Sequence, residues 1–183
     1  VLALVEFDKV IMLDADLLVR KNIDALFKRK APAALRRHAS AAYPDGAKIP
    51  WKSFFNKVGY LVSGINAGVM VLKPSDSDFK AMVDDLANGK RQKHEISRMP
   101  EQDYLTRFYA NKWYSLGVQF NYQPHQIAFT DRSGLESCRR LKMDYEEEVH
   151  VVHFSAVPKP PDWILCPEYH TMTRQWFALH VLF

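Results

Sequence analysis

Apolar residues along the chain fall into short runs that predict three strands. The runs are Val10–Leu13, Ala67–Leu72 and His150–Phe154. The first run contains no polar residue, so we expect that strand to be buried on both faces of a sheet. It leads directly into Asp14-Ala15-Asp16, and the pattern over residues 17–27 suits a strand end, a short turn and one helical turn.

Apolar residues at helical spacing predict two helices between the strands and a third near the end of the sequence. The first helix begins after Ser75 or Asp76 and ends at Asn88-Gly89, and the second begins at Pro100. Their apolar positions are Phe79, Met82, Val83 and Leu86 in the first helix and Tyr104, Leu105, Phe108 and Tyr109 in the second. The third is a docking helix predicted over residues 167–183.

The stretch over residues 28–57 has only a weak hydrophobic period and contains prolines at positions 32, 44 and 50. We expect a long irregular connection there, with some helix around Ala33–Arg37. Loops of this length in compact domains are often functional.

The composition is that of one folded domain with a sizeable core, which we place over residues 1–183. The 183 residues are 48% hydrophobic and 13% aromatic, and 25% charged residues indicate neither a disordered tail nor a coiled coil. A net charge of +4 and a pI of about 9.0 suit an anionic ligand. The basic residues are scattered, however, so a solvated surface is favoured over nucleic-acid binding.

The sequence excludes several structural classes. No run of about 18 apolar residues is present, so we predict no membrane-spanning helix. Cys138 and Cys166 are the only cysteines, which excludes a disulfide framework and a thiolate cluster. The first residues have neither a basic region nor an initiating Met, so we expect them to begin inside a longer domain rather than to form a signal peptide.

Asp14 and Asp16 are the most informative polar pair in the sequence. If the chain stays extended, both carboxylates point the same way at the carboxyl end of the first strand, where open α/β sheets place their ligands. Two such carboxylates ionise together only around positive charge, which a hard divalent cation would supply. Aspartates at strand ends also cap turns and helices, so a cap and a metal site both stay open on these residues alone.

Acidic and amide side chains also crowd the start of the second predicted helix. Glu101, Gln102 and Asp103 follow Pro100 directly, and the helix dipole favours negative charge at this end. Helix capping and a catalytic role are both compatible with that pattern.

Four segments of the sequence carry a family resemblance. They are Phe7–Val19, Asn66–Ser75, Pro100–Leu105, and His153-Phe154 together with Lys159-Pro160. In this order they resemble glycosyltransferase family 8, the retaining nucleotide-sugar transferases that include glycogenin and galactinol synthase. The resemblance implies an α/β fold of the nucleotide-diphospho-sugar transferase (GT-A) type, a mixed-sheet sandwich. In that family β-α units that bind uracil and ribose precede the Asp-x-Asp motif, so we expect this domain to be incomplete at its amino terminus.

The resemblance also assigns roles to individual residues. Asp14, Asp16 and His153 match the ligands of Mn²⁺, with Mg²⁺ as the alternative ion, and this donor set suits Mn²⁺ chemically. Lys159 matches the lysine that meets the donor diphosphate, where its charge would stabilise the leaving group. The full binding set implied for cofactor and donor is Asp14, Ala15, Asp16, Asn66, Ala67, Gly68, His153 and Lys159.

The segment Asn66-Ala67-Gly68 matches the part of the family that lies along the donor sugar, with Gly68 allowing close backbone approach. Glu101 and Gln102 match the catalytic pair near the anomeric carbon, as a nucleophile or as a stabiliser of an oxocarbenium-like state. Ala156 stands where the family commonly has glycine, which implies a tighter approach of the backbone to the phosphate.

The function implied is metal-dependent, retaining transfer of a hexose from UDP-glucose or UDP-galactose to a hydroxyl of a carbohydrate, polyol or protein acceptor. One alternative is a truncated or inactive transferase-like domain that only binds a metal or a partner. Another is a haloacid-dehalogenase-like phosphatase with Asp14 as nucleophile and Asp16 as general acid. That chemistry needs a second acidic pair at a strand end, whereas Asp84-Asp85 lies inside a predicted helix. Homodimerisation and the compartment, cytoplasm or Golgi lumen, stay open.

Overall fold

The structure is a computed structural model that describes residues 1–37, 43–55, 63–88, 99–123 and 145–155. These residues form the strands β1 (Val10–Leu13), β2 (Leu17–Val19), β3 (Ala33–Arg36), β4 (Ile65–Leu72), β5 (Tyr114–Ser115) and β6 (Val151–His153). They also form the helices α1 (Asp76–Asn88), α2 (Pro100–Phe108) and α3 (Tyr145–Glu148), with 3₁₀ turns at Asp24–Lys28, Trp51–Ser53 and Val118–Phe120. Ala156, Lys159 and the helix predicted over residues 167–183 lie outside the described residues.

β4 is the central strand of a mixed sheet with the order β1-β4-β3-β5. β1 and β3 both run antiparallel to β4, whereas β5 runs parallel to β3. All eight residues of β4 are buried, because the strand has a neighbour on each side and buried side chains cover both of its faces. The strand predicted over Ala67–Leu72 is therefore confirmed, and it begins two residues earlier, at Ile65.

The strand predicted at Val10–Leu13 is confirmed as β1, but the expectation that it is buried on both faces is wrong. Its first three residues are half-buried and Leu13 is 40% exposed. Among the described residues β1 pairs with β4 alone, at the end of the sheet. An apolar run thus indicates a strand without fixing its place in the sheet.

The helix expected around Ala33–Arg37 is wrong, because Ala33–Arg36 form β3. Ala33, Ala34 and Leu35 are all buried, and β3 lies between β4 and β5. The helical preference of alanine over most other residues is less than about 1 kcal/mol. Burial and pairing on both sides outweigh it here.

A second, two-stranded sheet is formed by β2 and β6. The prediction for residues 17–27 is confirmed, since β2 is followed by a turn and the 3₁₀ helix Asp24–Lys28. The strand predicted over His150–Phe154 is confirmed as β6. The turn Asp14–Asp16 leads from β1 in the main sheet to β2 in this second sheet, so it lies where the two sheets meet.

Both helices predicted between the strands are confirmed. Ser75 caps the start of α1, because its Oγ accepts a hydrogen bond from the backbone N–H of Asp78 at 3.1 Å. Two tyrosines of the α2 segment bind α1: Tyr109 donates to Asp78 at 2.9 Å and Tyr104 donates to Asp85 at 3.2 Å. Burial and the neighbouring Asp78 carboxylate raise the pKa of Tyr109 well above its usual range.

Buried side chains form a cluster on each face of the main sheet. One packs beneath the two helices and includes Phe54, Met70 and Trp113. The other includes Leu26, Val69 and Val151, and it attaches β6 to the main sheet. No helix in the described part of the chain has the length and apolar character needed to cross a membrane.

Candidate functional site

The turn Asp14–Asp16 is held by both sheets through its backbone. The N–H of Asp14 donates to the carbonyl of Gly68 in β4 at 3.0 Å, and the carbonyl of Asp16 accepts from the N–H of Phe154 at 3.0 Å. Phe154 directly follows β6, which ends at His153. The two sheets therefore bring both aspartates and a distant histidine to one place, with Ala15 at the exposed tip of the turn.

Asp14, Asp16 and His153 offer three ligand atoms that all lie within 4.8 Å of one another. The Nε2 atom of His153 lies 3.8 Å from Oδ2 of Asp14 and 3.3 Å from Oδ1 of Asp16. The histidine side chain is 4% exposed, whereas the two aspartate side chains are 42% and 34% exposed. The cluster is thus closed on the imidazole side and open to solvent on the carboxylate side, from which further ligands can enter.

The imidazole of His153 is held from behind by a buried amide. Its Nδ1 atom lies 2.8 Å from Oδ1 of Asn121, and its backbone N–H donates to the carbonyl of Tyr122 at 2.8 Å. Asn121 is completely buried. Asn121 could not be identified from the sequence, because a lone asparagine after a short apolar turn carries no distinctive pattern.

Gly68 has a steric reason to be glycine. A Cβ atom built on it would overlap Cε1 and Nδ1 of His153, far inside van der Waals contact. The lack of a side chain at Gly68 therefore makes room for the imidazole ring, and the approach of a donor sugar to Gly68 stays a prediction. Asn66, two residues earlier, is buried, and its Oδ1 accepts from the Gly68 N–H at 2.9 Å.

Helix α2 is fixed to β4 beside this site. The register between β3 and β4 shifts, so residues 67–69 have no Cα partner in β3. The N–H of Ala67 donates instead to Oε1 of Gln102 at 3.1 Å, and the N–H of Ile65 donates to Oγ1 of Thr106 at 3.0 Å. Gln102 is half-buried in this position, while its neighbour Glu101 is exposed.

Asp103 is bound to the end of β3. Its carboxylate forms an ion pair with the guanidinium of Arg37. Of the three polar residues at the start of α2, Asp103 thus has a structural partner on the sheet, and Gln102 has one on β4.

The structure also bears on two other interpretations of Asp14 and Asp16, a helix cap and a phosphatase. The following 3₁₀ helix, Asp24–Lys28, is preceded by Asn22, whose Oδ1 accepts from the N–H of Asp24 at 2.7 Å, so the first helical N–H is bonded by a residue nearer to the helix than the aspartate pair. Asp84 and Asp85 lie within α1, and Asp85 accepts from Tyr104. They are therefore not the acidic pair at a strand end that the phosphatase chemistry needs.

Two residues that the sequence places near the diphosphate, Lys159 and Ala156, lie outside the described residues. Gln123 and Ser155 carry no distinctive sequence pattern of their own. Oε1 of Gln123 accepts from Ser155 at 3.1 Å and from Asn66 at 3.4 Å, so it connects these two side chains.

Comparison with known proteins places these features in a family. Residues 1–163 match the model of glycosyl transferase family 8. A relative, the uncharacterized protein R707 of Acanthamoeba polyphaga mimivirus, is 38% identical over 160 residues, which are 87% of this chain and 52% of that protein. The chain therefore spans about half the length of this relative.

Three solved structures with a similar fold are glycosyltransferases. GlyE of Streptococcus pneumoniae TIGR4 aligns with 98% of this chain and 45% of its own, with a TM-score of 0.59 and 19% identity. The galactosyltransferase LgtC, solved with donor and acceptor sugar analogs, aligns with 87% of this chain and 58% of its own, with a TM-score of 0.51 and 21% identity. The bifunctional glycosyltransferase WbbM aligns with 85% and 30%, with a TM-score of 0.58 and 14% identity.

These likenesses show a mixed α/β fold of the GT-A type, as expected from the sequence. The match to the family model includes the Asp14–Asp16 turn, β4, α2 and β6, and therefore the whole cluster built above. The chain belongs to glycosyl transferase family 8.

Proposed function

We propose that the protein is a metal-dependent, retaining glycosyltransferase that moves a hexose from UDP-glucose or UDP-galactose to an acceptor hydroxyl. The observation that carries this proposal is the cluster of Asp14, Asp16 and His153, which lies within the region matched by the family model. The chain spans about half the length of its relatives. Activity, donor and acceptor are therefore all parts of the proposal.

The donor atoms of the cluster suit Mn²⁺, with Mg²⁺ as the alternative ion. The charges of two carboxylates are balanced by one divalent cation, and an imidazole ligand is better suited to Mn²⁺ than to Mg²⁺, which prefers oxygen ligands and water. Three protein ligands leave positions of an octahedral ion open on the exposed side of the cluster. When bound, the ion would act as a Lewis acid on the diphosphate.

Residues around the cluster would bind and orient the donor. We assign the segment Asn66-Ala67-Gly68 to the donor sugar, since β4 presents it beside the His153 ring. We assign Lys159 to the diphosphate, where its ammonium would stabilise the charge that develops as the bond to the anomeric carbon breaks. Its place in the sequence, six residues after His153, supports this role.

Gln102 and Glu101 are assigned to the region of the anomeric carbon. The hydrogen bond from Ala67 ties Gln102 to the strand residue next to Gly68. An amide oxygen engaged in that bond is better suited to orienting the donor and stabilising an oxocarbenium-like state than to nucleophilic attack. Glu101 is exposed in the first turn of α2.

The proposal is tested by incubating the protein with UDP-glucose or UDP-galactose, with Mn²⁺ or with excess chelator, and measuring UDP release. Asp14→Asn removes one ligand charge, and Asp8→Asn makes the same change at an exposed residue outside the cluster. We expect Mn²⁺-dependent release by the native chain and by Asp8→Asn, and a loss of it in Asp14→Asn. The anomeric configuration of the transferred hexose, followed by ¹H NMR, tests retention.

The outcomes separate the competing functions. Mn²⁺-dependent UDP binding without turnover would favour an inactive transferase-like domain. Release of UDP that chelator does not affect would contradict metal dependence, and an inverted product would contradict the retaining course. Hydrolysis of a simple phosphate monoester that depends on Asp14 would favour the phosphatase.

A further inference from the structure

A series of hydrogen bonds between buried amides connects the backbone of β4 to His153. The N–H of Gly68 donates to Oδ1 of Asn66 at 2.9 Å, and Nδ2 of Asn121 lies 2.8 Å from the same oxygen. The other end of the Asn121 amide, Oδ1, lies 2.8 Å from Nδ1 of His153. The three side chains are buried, with residue exposures of 7%, 0% and 3% in this order.

The chemistry of this series fixes the direction of every bond in it. A backbone N–H can only donate, so the atom of Asn66 that faces Gly68 is the carbonyl oxygen. That oxygen can only accept, so Asn121 presents its NH₂ group to Asn66 and its carbonyl oxygen to His153. An amide oxygen facing Nδ1 requires the proton of the imidazole to be on Nδ1.

The consequence lies at the other nitrogen of the ring. With the proton on Nδ1, the neutral imidazole keeps a lone pair on Nε2, which is the atom that faces Asp14 and Asp16. The Asp16 carboxylate, 3.3 Å away, would by itself favour the opposite tautomer, because it can accept a hydrogen bond from an Nε2 that carries the proton. The Asn121 amide competes with this attraction from the buried side of the ring.

We propose that Asn121 is a positioning residue that sets the tautomer and orientation of His153, so that Nε2 is ready to bind a divalent cation. The inference rests on the proposed function, because binding a metal ion through Nε2 requires that lone pair. Partners that fix a ligating histidine in this way typically change metal affinity about 10- to 100-fold. The position of Asn121 is itself set by the backbone, since Tyr122, the next residue, bridges to Val152 of β6.

The first test needs no variant. We expect ¹⁵N NMR of the neutral His153 imidazole in the metal-free native protein to show the proton on Nδ1. A proton found mainly on Nε2 would overturn the inference. Asn121→Leu removes the acceptor at similar volume, and we expect the Nε2–H form to rise and the affinity for Mn²⁺, followed by the EPR signal of the free ion, to fall about 10- to 100-fold.

Two further variants separate positioning from folding. Asn121→Asp keeps an acceptor for Nδ1–H but loses the NH₂ donor to Asn66, so we expect it to restore the Nδ1–H form and most of the Mn²⁺ affinity while lowering stability. Thr106→Val removes a buried hydroxyl that bonds Ile65 and the carbonyl of Gln102. We expect it to lower stability in urea while leaving the tautomer and the Mn²⁺ affinity unchanged.

The failures of the two proposals are distinguishable. An Asn121→Leu variant that folds and keeps both the native tautomer and the native Mn²⁺ affinity would overturn the role of Asn121 and leave the proposed function intact. A native protein with the expected tautomer that binds no Mn²⁺ would overturn the metal dependence and leave the control of the tautomer standing.

Discussion

The substitution Gly68→Ala tests how tightly the candidate metal centre is built. The added Cβ would overlap Cε1 and Nδ1 of His153 and lie 3.0 Å from Oδ1 of Asn66. Gly68 does not have the positive φ of Gly46, so the expected effect comes from the side chain and not from backbone strain. Either the imidazole moves or the strand does.

The structure sets the size of the effect. His153 cannot move freely, because it is 3% exposed, its Nδ1 is bound to Asn121 and its backbone N–H to Tyr122. Overpacking of this kind costs about 1–3 kcal/mol. If the ring leaves its position, that energy appears as a loss of roughly 5- to 150-fold in Mn²⁺ affinity. If the ring stays, the free energy of unfolding falls by the same amount.

Two measurements on the Gly68→Ala variant quantify this overpacking energy. Mn²⁺ titration gives the binding term and urea unfolding gives the stability term, and we expect them to sum to about 1–3 kcal/mol. Gly64→Ala is the matched control, because its Cβ would meet the side chains of Arg37 and Thr106, away from the cluster. It should lower stability at most and leave Mn²⁺ affinity unchanged. A Gly68→Ala variant with native stability and native affinity would refute the packing argument.

Three further predictions concern the donor site and the fold. Asp16→Asn should abolish Mn²⁺-dependent UDP binding in calorimetry with little change in stability, because the side chain is 34% exposed. Lys159→Ala should lower kcat more than donor binding in steady-state kinetics, since its charge would act on the leaving diphosphate. Tyr109→Phe should lower the free energy of unfolding by roughly 1.5 kcal/mol, the value of a hydrogen bond to a charged group, and urea unfolding measures it.

The raised pKa of Tyr109 gives that last prediction a pH dependence. The folded protein favours the neutral phenol, so this stabilisation is present below the ordinary tyrosine pKa of about 10 and is lost as pH rises above it. Tyr109→Phe should lose less stability than the native chain between neutral and alkaline pH. An identical alkaline decline in both proteins would contradict the assignment.

The other two predictions have equally definite contradictions. Unchanged Mn²⁺-dependent UDP affinity in Asp16→Asn would remove Asp16 from the ligand set, with Asp8→Asn as the control for a lost carboxylate. An effect of Lys159→Ala confined to KM would assign that residue to ground-state binding instead of leaving-group stabilisation.

Local features of this chain could be predicted from the sequence because they depend on neighbouring residues. Local signals specify α1. Ser75 caps its first turn, and Met82 and its apolar neighbours recur at helical spacing. The apolar run before Asp14 specifies a strand followed by two carboxylates. The family resemblance then supplied His153, which no local pattern connects to the aspartates.

Tertiary structure decided the features that depend on pairing between distant residues. Ala33–Arg36 became a strand because β4 and β5 lie on either side of it, which alanine's own preference does not indicate. Gly68 packs against the His153 ring, which occupies the space that a Cβ atom would need. Asn121 meets that ring from 32 residues away, through a contact that depends on the bridge between Tyr122 and Val152 of β6.

The difference between the features predicted from the sequence and those seen only in the fold has one physical cause. The sequence was enough to predict β1, β4, β6, α1 and α2, and the two carboxylates that stand together, because those properties follow from spacing along the backbone. It could not determine the tautomer of His153 or the reason for Gly68, because both depend on atoms brought within a few ångströms by the β1–β4 and β2–β6 pairings. The aspartate pair could thus be found in the sequence, whereas its buried support became visible only in the fold.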